Sequence, residues 1–218
     1  MARVLQKQII AQLGVKQVKH TVVIPDRVRE VREQICACAK EMETAMSRDK
    51  KDYSWDVLIF KKTADLLEKS CASDAWFHLN KEYVRNNKAR DYKFRILPRI
   101  SALMPNGAGG NYKLEKVYEI AYEEKGKSTL ILCKSMNSAM TTSRDLCGKT
   151  ASILNVVAGL KSVTGKYDVI INIDANLKNR GILLKHIKDA GTMHEIVAVE
   201  PKKSKFAQKN PMPSQIQY

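Results

Sequence analysis

The chain has 218 residues, with 38 Lys and Arg against 23 Asp and Glu, which gives a formal charge of +15 and a pI near 9.6. Apolar residues make up 44% and charged residues 28%, too apolar for wholesale disorder, and no run approaches the roughly 20 apolar residues of a membrane-spanning helix. Five cysteines, odd in number and without framework spacing, exclude a disulfide-stapled scaffold.

Residues 2–13 carry Val4, Leu5, Ile9, Ile10 and Leu13 at helical recurrence and stop at Gly14. A short β-prone run at 21–24 is closed by Pro25. From Asp26 to Arg48 the pattern is regular: Val28, Val31, Ile35, Cys38 and Met42 recur at threes and fours between Arg, Glu and Lys, and Asp26 stands where an N-cap belongs. This predicts a helix whose narrow seam packs on the protein's own core or against a partner. Two more helices are expected over 55–69 and 73–87, the first with Leu58, Ile59, Leu66 and Leu67 as its apolar face, the second with Trp76, Phe77, Leu79, Tyr83 and Val84.

Composition then changes. Residues 104–112 are rich in Pro, Asn and Gly and read as a loop, flanked by β-prone runs at 92–103, 113–122 and 129–133. Helical spacing returns over 142–160, followed by an apolar strand at 166–174, a helix at 176–190 interrupted at Gly181, and a last strand at 194–200. Helices first and strands mixed with helices later predict an α+β protein with a small, largely antiparallel sheet. The expected division is a helical part over 1–90, an α+β part over 91–200, and a flexible basic tail over 201–218, where three prolines and several lysines replace the apolar residues.

The charge is collected rather than spread. Arg3, Lys7, Lys16 and Lys19 give residues 1–25 a charge of +4 with no acid; Lys202, Lys203, Lys205 and Lys209 do the same for 201–218. Between them, Arg85, Lys88, Arg90, Lys93, Arg95 and Arg99 stand against Asp91 alone. The rest of the chain is nearly neutral. Such clustering costs self-repulsion unless a polyanion neutralises it, so Arg85, Lys88, Arg90, Lys93, Arg95, Arg99, Lys202, Lys203 and Lys205 are the candidate phosphate contacts. Tyr83, Tyr92 and Phe94 interleave with the central block, the combination that stacks on bases while holding phosphates. As a strand, however, that block would turn Tyr92, Phe94 and Ile96 to one face and Lys93, Arg95 and Arg99 to the other, leaving the cations to bind by charge alone.

Other motifs are weaker. Ser143 to Thr150 ends in Gly148-Lys149-Thr150 like a phosphate loop, and Asp174 ends a later apolar strand, but Ser143 replaces the first glycine and no strand feeds directly into the loop. Gly107, Gly109 and Gly110 lack the strand-to-helix setting of a dinucleotide site. The four histidines and five cysteines show no ligand spacing, so neither metal nor cofactor is expected, and no nucleophile or carboxylate pair can be assigned. The sequence therefore leads to a non-enzymatic, basic nucleic-acid-binding protein of ribonucleoprotein or virion type, with RNA favoured over DNA. A peripheral protein on anionic lipid and a nucleotide binder using 143–150 are the rival readings. Residues 1–20 lack the apolar block of a secretory signal, and the location expected is intracellular, cytoplasmic or nuclear.

Overall fold

Two runs, Leu130 to Cys133 and Val169 to Ile171, are apolar without alternation, the mark of strands covered on both faces. A computed structural model describes residues 14–49, 51–104, 109–146, 154–173 and 180–201, and in it these runs lie side by side at the centre of a five-stranded sheet. In chain order the elements are β1 (Lys16–Val23), α1 (Asp26–Asp49), α2 (Ser54–Lys69), α3 (Ala72–Lys81), α4 (Asn87–Ser101), α5 (Leu114–Glu123), β2 (Thr129–Cys133), α6 (Met136–Leu146), β3 (Leu154–Ala158), β4 (Tyr167–Asn172), α7 (Arg180–Leu183) and β5 (Ile187–Val199). Strand order across the sheet is β1-β5-β4-β2-β3.

Every pairing in this sheet is parallel, which overturns the expectation of a largely antiparallel one. The reason lies in two segments. Residues 92–103 and 113–122, expected as strands that could form hairpins, are the helices α4 and α5. In α4 the buried residues Ala89, Ile96 and Ile100 fall at intervals of seven and four, and the apparent alternation of Tyr92, Phe94 and Ile96 is broken by Phe94, which is 67% exposed. In α5, Leu114, Val117, Ile120 and Ala121 repeat at helical spacing. With helices in place of hairpins, the strands are joined by the longer crossovers that parallel pairing requires.

Further boundaries differ. The helix expected over 73–87 is α3, which ends at Lys81 and leaves Tyr83 and Val84 in the turn beyond it, and the strand expected over 21–24 is β1, which begins at Lys16. The helix expected over 142–160 is α6, which ends at Leu146, and by Leu154 the chain is strand β3. Within 176–190, only α7 and a 3₁₀ turn at Leu184–His186 are helical among the described residues, and β5 starts at Ile187. The helix expected at 2–13 and the tail from 202 onward lie outside the described residues.

Side chains alternate between the two faces of the sheet. Ile131, Cys133, Val169, Ile171 and Ile196 meet Leu114, Val117 and Ile120 of α5 and Ala139 and Leu146 of α6. Leu130, Leu132, Ile170 and Met193 turn the other way, toward Val163, Leu183 and Leu184. A separate helical layer forms where α1 packs on α2, α2 on α3, α3 on α4 and α4 back on α1. Its core contains Ile35, Met42, Phe60, Leu67, Leu79, Ile96 and Ile100, so the apolar seam of α1 is consumed internally. Arg32 of α1 pairs with Glu68 of α2 at 2.7 Å and with Glu200 just after β5. Asp74 of α3 accepts hydrogen bonds from Ser135 Oγ at 2.7 Å and Asn137 Nδ2 at 3.1 Å, tying the helices to the loop that follows β2 and to the first turn of α6.

The edge strand β1 is joined to β5 by more than its ladder. His20 and His194 share a ring-to-ring hydrogen bond of 2.9 Å, and His194 Nε2 lies 3.5 Å from Glu124 at the end of α5. Burial lowers the pKa of both imidazoles. Lys116 lowers His20 further against the pull of Glu123; His20 lowers His194 further against Glu124 and Glu123. An unfolded chain takes up protons on both rings before the folded one does. Stability is therefore intact above the ordinary value of 6.5 and declines as pH falls below it. Melting curves recorded from about pH 8 to 5 should show this decline, and His194→Gln should flatten it; a wild-type melting temperature constant across that range would contradict the assignment.

Candidate nucleic-acid interface

The turn between α3 and α4 is built on a buried carboxylate. Asp56, in the first turn of α2, is fully inaccessible and accepts the Arg85 backbone N–H at 3.0 Å and the Asn86 side-chain amide at 2.7 Å. The same Asn86 amide donates to the Asp52 carbonyl at 3.0 Å. A carboxylate at a helix N-terminus is favoured by the helix dipole, and here it also pins a loop 29 residues away. One residue before Asp56, the Trp55 indole N–H donates to the Tyr83 carbonyl at 3.2 Å. Trp55 and Tyr83 are thus held side by side on one surface.

Each ring carries a guanidinium. Arg85 lies 5.3 Å from the Trp55 centroid, and Arg90 lies 5.4 Å from the Tyr83 centroid while donating to its phenol oxygen at 3.2 Å. These are cation–π distances. The rings remain accessible, Trp55 at 40% and Tyr83 at 66%, and Phe94 projects one helical turn beyond Arg90.

The six cations of the central block do not share one face. Lys88, Arg95 and Arg99 fall at i, i+7 and i+11 along one exposed flank of α4, whereas Arg90 lies on the opposite flank beside Phe94. Arg95 stacks on Tyr92 at 4.6 Å and lies 3.8 Å from Glu41 of α1. Burial, followed by the hydrogen bond to Glu41, pushes the Tyr92 phenol up to about 12. Lys93 turns inward: its ammonium donates to the carbonyls of Asn80 at 2.8 Å and Glu82 at 3.0 Å, closing the C-terminal end of α3. Desolvation lowers its pKa. The strand alternation that grouped Lys93 with Arg95 and Arg99 is replaced by a helix that separates them.

Of the other candidates, Lys202, Lys203 and Lys205 lie outside the described residues. Lys16 and Lys19 sit on the edge strand β1, where lysine also discourages edge-to-edge pairing. Gly107 is outside the described residues, while Gly109 and Gly110 offer their carbonyls to the N–H groups of Ser73 and Ala72 at the start of α3. Ser143, Arg144 and Asp145 form the last turn of α6, and residues 147–150 lie outside the described region, as does Asp174. A phosphate loop leads out of a strand and into a helix; here the string begins where a helix ends.

Sequence reasoning missed Trp55 and Asp56. The available signal was the helical phase of α2: the buried stripe is Val57, Phe60, Ala64 and Leu67, which leaves Trp55 and Leu58 off it and exposed. An exposed tryptophan three residues from an exposed leucine is a surface feature that the apolar count alone conceals. No known protein-family model and no curated protein matches this chain.

Proposed function

We propose that the protein is a non-enzymatic nucleic-acid-binding structural component of a ribonucleoprotein or virion assembly, with RNA favoured over DNA. Its contact surface is the turn after α3 together with the solvent side of α4. The single observation that carries this reading is the pairing of exposed aromatic rings with arginines, Trp55 with Arg85 and Tyr83 with Arg90, on a chain of charge +15. Guanidinium groups neutralise phosphates, and rings beside them accept bases, so one surface supplies both contacts. Arg85, Lys88, Arg90, Arg95 and Arg99 are the phosphate contacts; Lys93 is a structural cap. Lys202, Lys203 and Lys205 add contacts from the tail.

The test is the salt dependence of binding. Replacing Arg85, Lys88, Arg90, Arg95 and Arg99 together by Ala should lower the slope of log affinity against log salt by roughly 3.5 to 4.5 units, since each phosphate contact contributes about 0.7 to 0.9. Lys93→Ala should leave the slope as it is and lower the melting temperature instead. A fivefold variant with the wild-type slope would refute the assignment to α4.

A further inference from the structure

We infer that this surface takes single-stranded nucleic acid, stacking unpaired bases on Trp55 and Tyr83. The inference rests on the nucleic-acid reading above and goes beyond it, because charge alone is indifferent to strand number. In a duplex the flat faces of the bases are already stacked on one another and only their edges reach a protein. A protein ring lying open at the surface can therefore accept a base face only from an unpaired strand, whose bases are free to splay outward.

Three features of the structure bear on this. Both rings keep substantial accessibility while one guanidinium lies over each, so an incoming base can meet a ring already polarised by Arg85 or Arg90. Trp55 is held by its indole hydrogen bond to the Tyr83 carbonyl, and the turn that carries Tyr83 by Asp56, which limits the conformational entropy lost on binding. Finally, the surface around the rings is turn and helix rather than a sheet edge, and its neutral donors are used within the protein: the indole N–H by Tyr83, the Asn86 amide by Asp56 and Asp52. Such a surface stacks without reading base edges, so it discriminates strandedness and not sequence.

The chain contains two tryptophans, Trp55 and Trp76, and Trp76→Phe leaves Trp55 as the sole indole reporter. The full chain carrying Trp76→Phe is titrated with three probes of about 15 nucleotides: a single-stranded oligouridine, a duplex of the same length, and a single-stranded abasic oligomer with the same phosphates. Trp55 fluorescence should be quenched by oligouridine and not by the abasic strand, and oligouridine should bind roughly tenfold or more tightly than either other probe. Tyr83→Ala should erase most of that preference with the salt slope retained, and Tyr83→Phe, which keeps the ring, should restore it. Equal binding of all three probes without quenching overturns the inference and leaves a phosphate binder standing. No binding to any probe at low salt, or binding only to anionic lipid vesicles, overturns the nucleic-acid reading itself.

Discussion

Asp56→Ala is expected to destabilise the protein by about 3 kcal/mol, from two hydrogen bonds to a charged acceptor and the unsatisfied backbone donor left behind. Asp56 is inaccessible to solvent and holds the Arg85 N–H and the Asn86 amide, so no water takes over as acceptor without opening the α2–α3 layer. For a chain of this length the melting temperature should fall by about 6 to 12 °C. Asp56→Asn should cost less, because one amide oxygen can still serve Arg85 while its NH₂ faces the NH₂ of Asn86. Loss at this anchor also releases the turn that carries Tyr83 and Arg85, so Trp55 emission should shift before global unfolding. Thermal and urea melts followed by fluorescence and circular dichroism decide it: a variant melting within a degree or so of wild type would remove Asp56 as the anchor of the interface.

Gly110→Ala should be similarly severe, by a different mechanism. Gly110 has φ +62°, and a Cβ there would lie 2.5 Å from the Leu103 carbonyl oxygen and 2.8 Å from Ala72 Cβ. The left-handed conformation alone costs an L-residue roughly 1 to 2 kcal/mol. The contact with a backbone carbonyl adds to it, because neither atom is the end of a flexible side chain, and the expected total is about 3 kcal/mol or more. Gly126→Ala is the control. Gly126 has φ +84° with nothing within 4 Å of the added carbon, so only the conformational part should appear. Urea midpoints measured side by side separate strain from collision, and equal losses at the two positions would show that the collision at Gly110 is relieved.

A pattern repeated over many residues predicts its element from sequence alone. The seam Val28, Val31, Ile35, Cys38, Met42 predicts α1, and α1 runs from Asp26 to Asp49, because a 24-residue amphipathic pattern repeats often enough to exclude any other period. The apolar runs at 129–133 and 166–174 predict strands, and β2 and β4 lie within them, buried on both faces. The block at 85–99 shows the opposite. Over Tyr92 to Ile96 an alternating and a helical pattern coincide, and the difference is settled by Ala89 and Ile100, which lie outside that window and face the helical core.

What the sequence determines by itself is local and compositional: the concentration of positive charge, the long helix, the identity of the central strands, and the presence of aromatic rings among arginines. Tertiary structure alone decides that β1 pairs with β5, more than 160 residues away, in parallel, and that Lys93 folds inward while Arg85 and Arg90 stay out beside aromatic rings. It alone brings Trp55 to Tyr83 across 28 residues. Periodicity records which side of an element is apolar. It carries no information about which distant element will cover that side, because the contact is chosen by burial and hydrogen bonding summed over the whole chain.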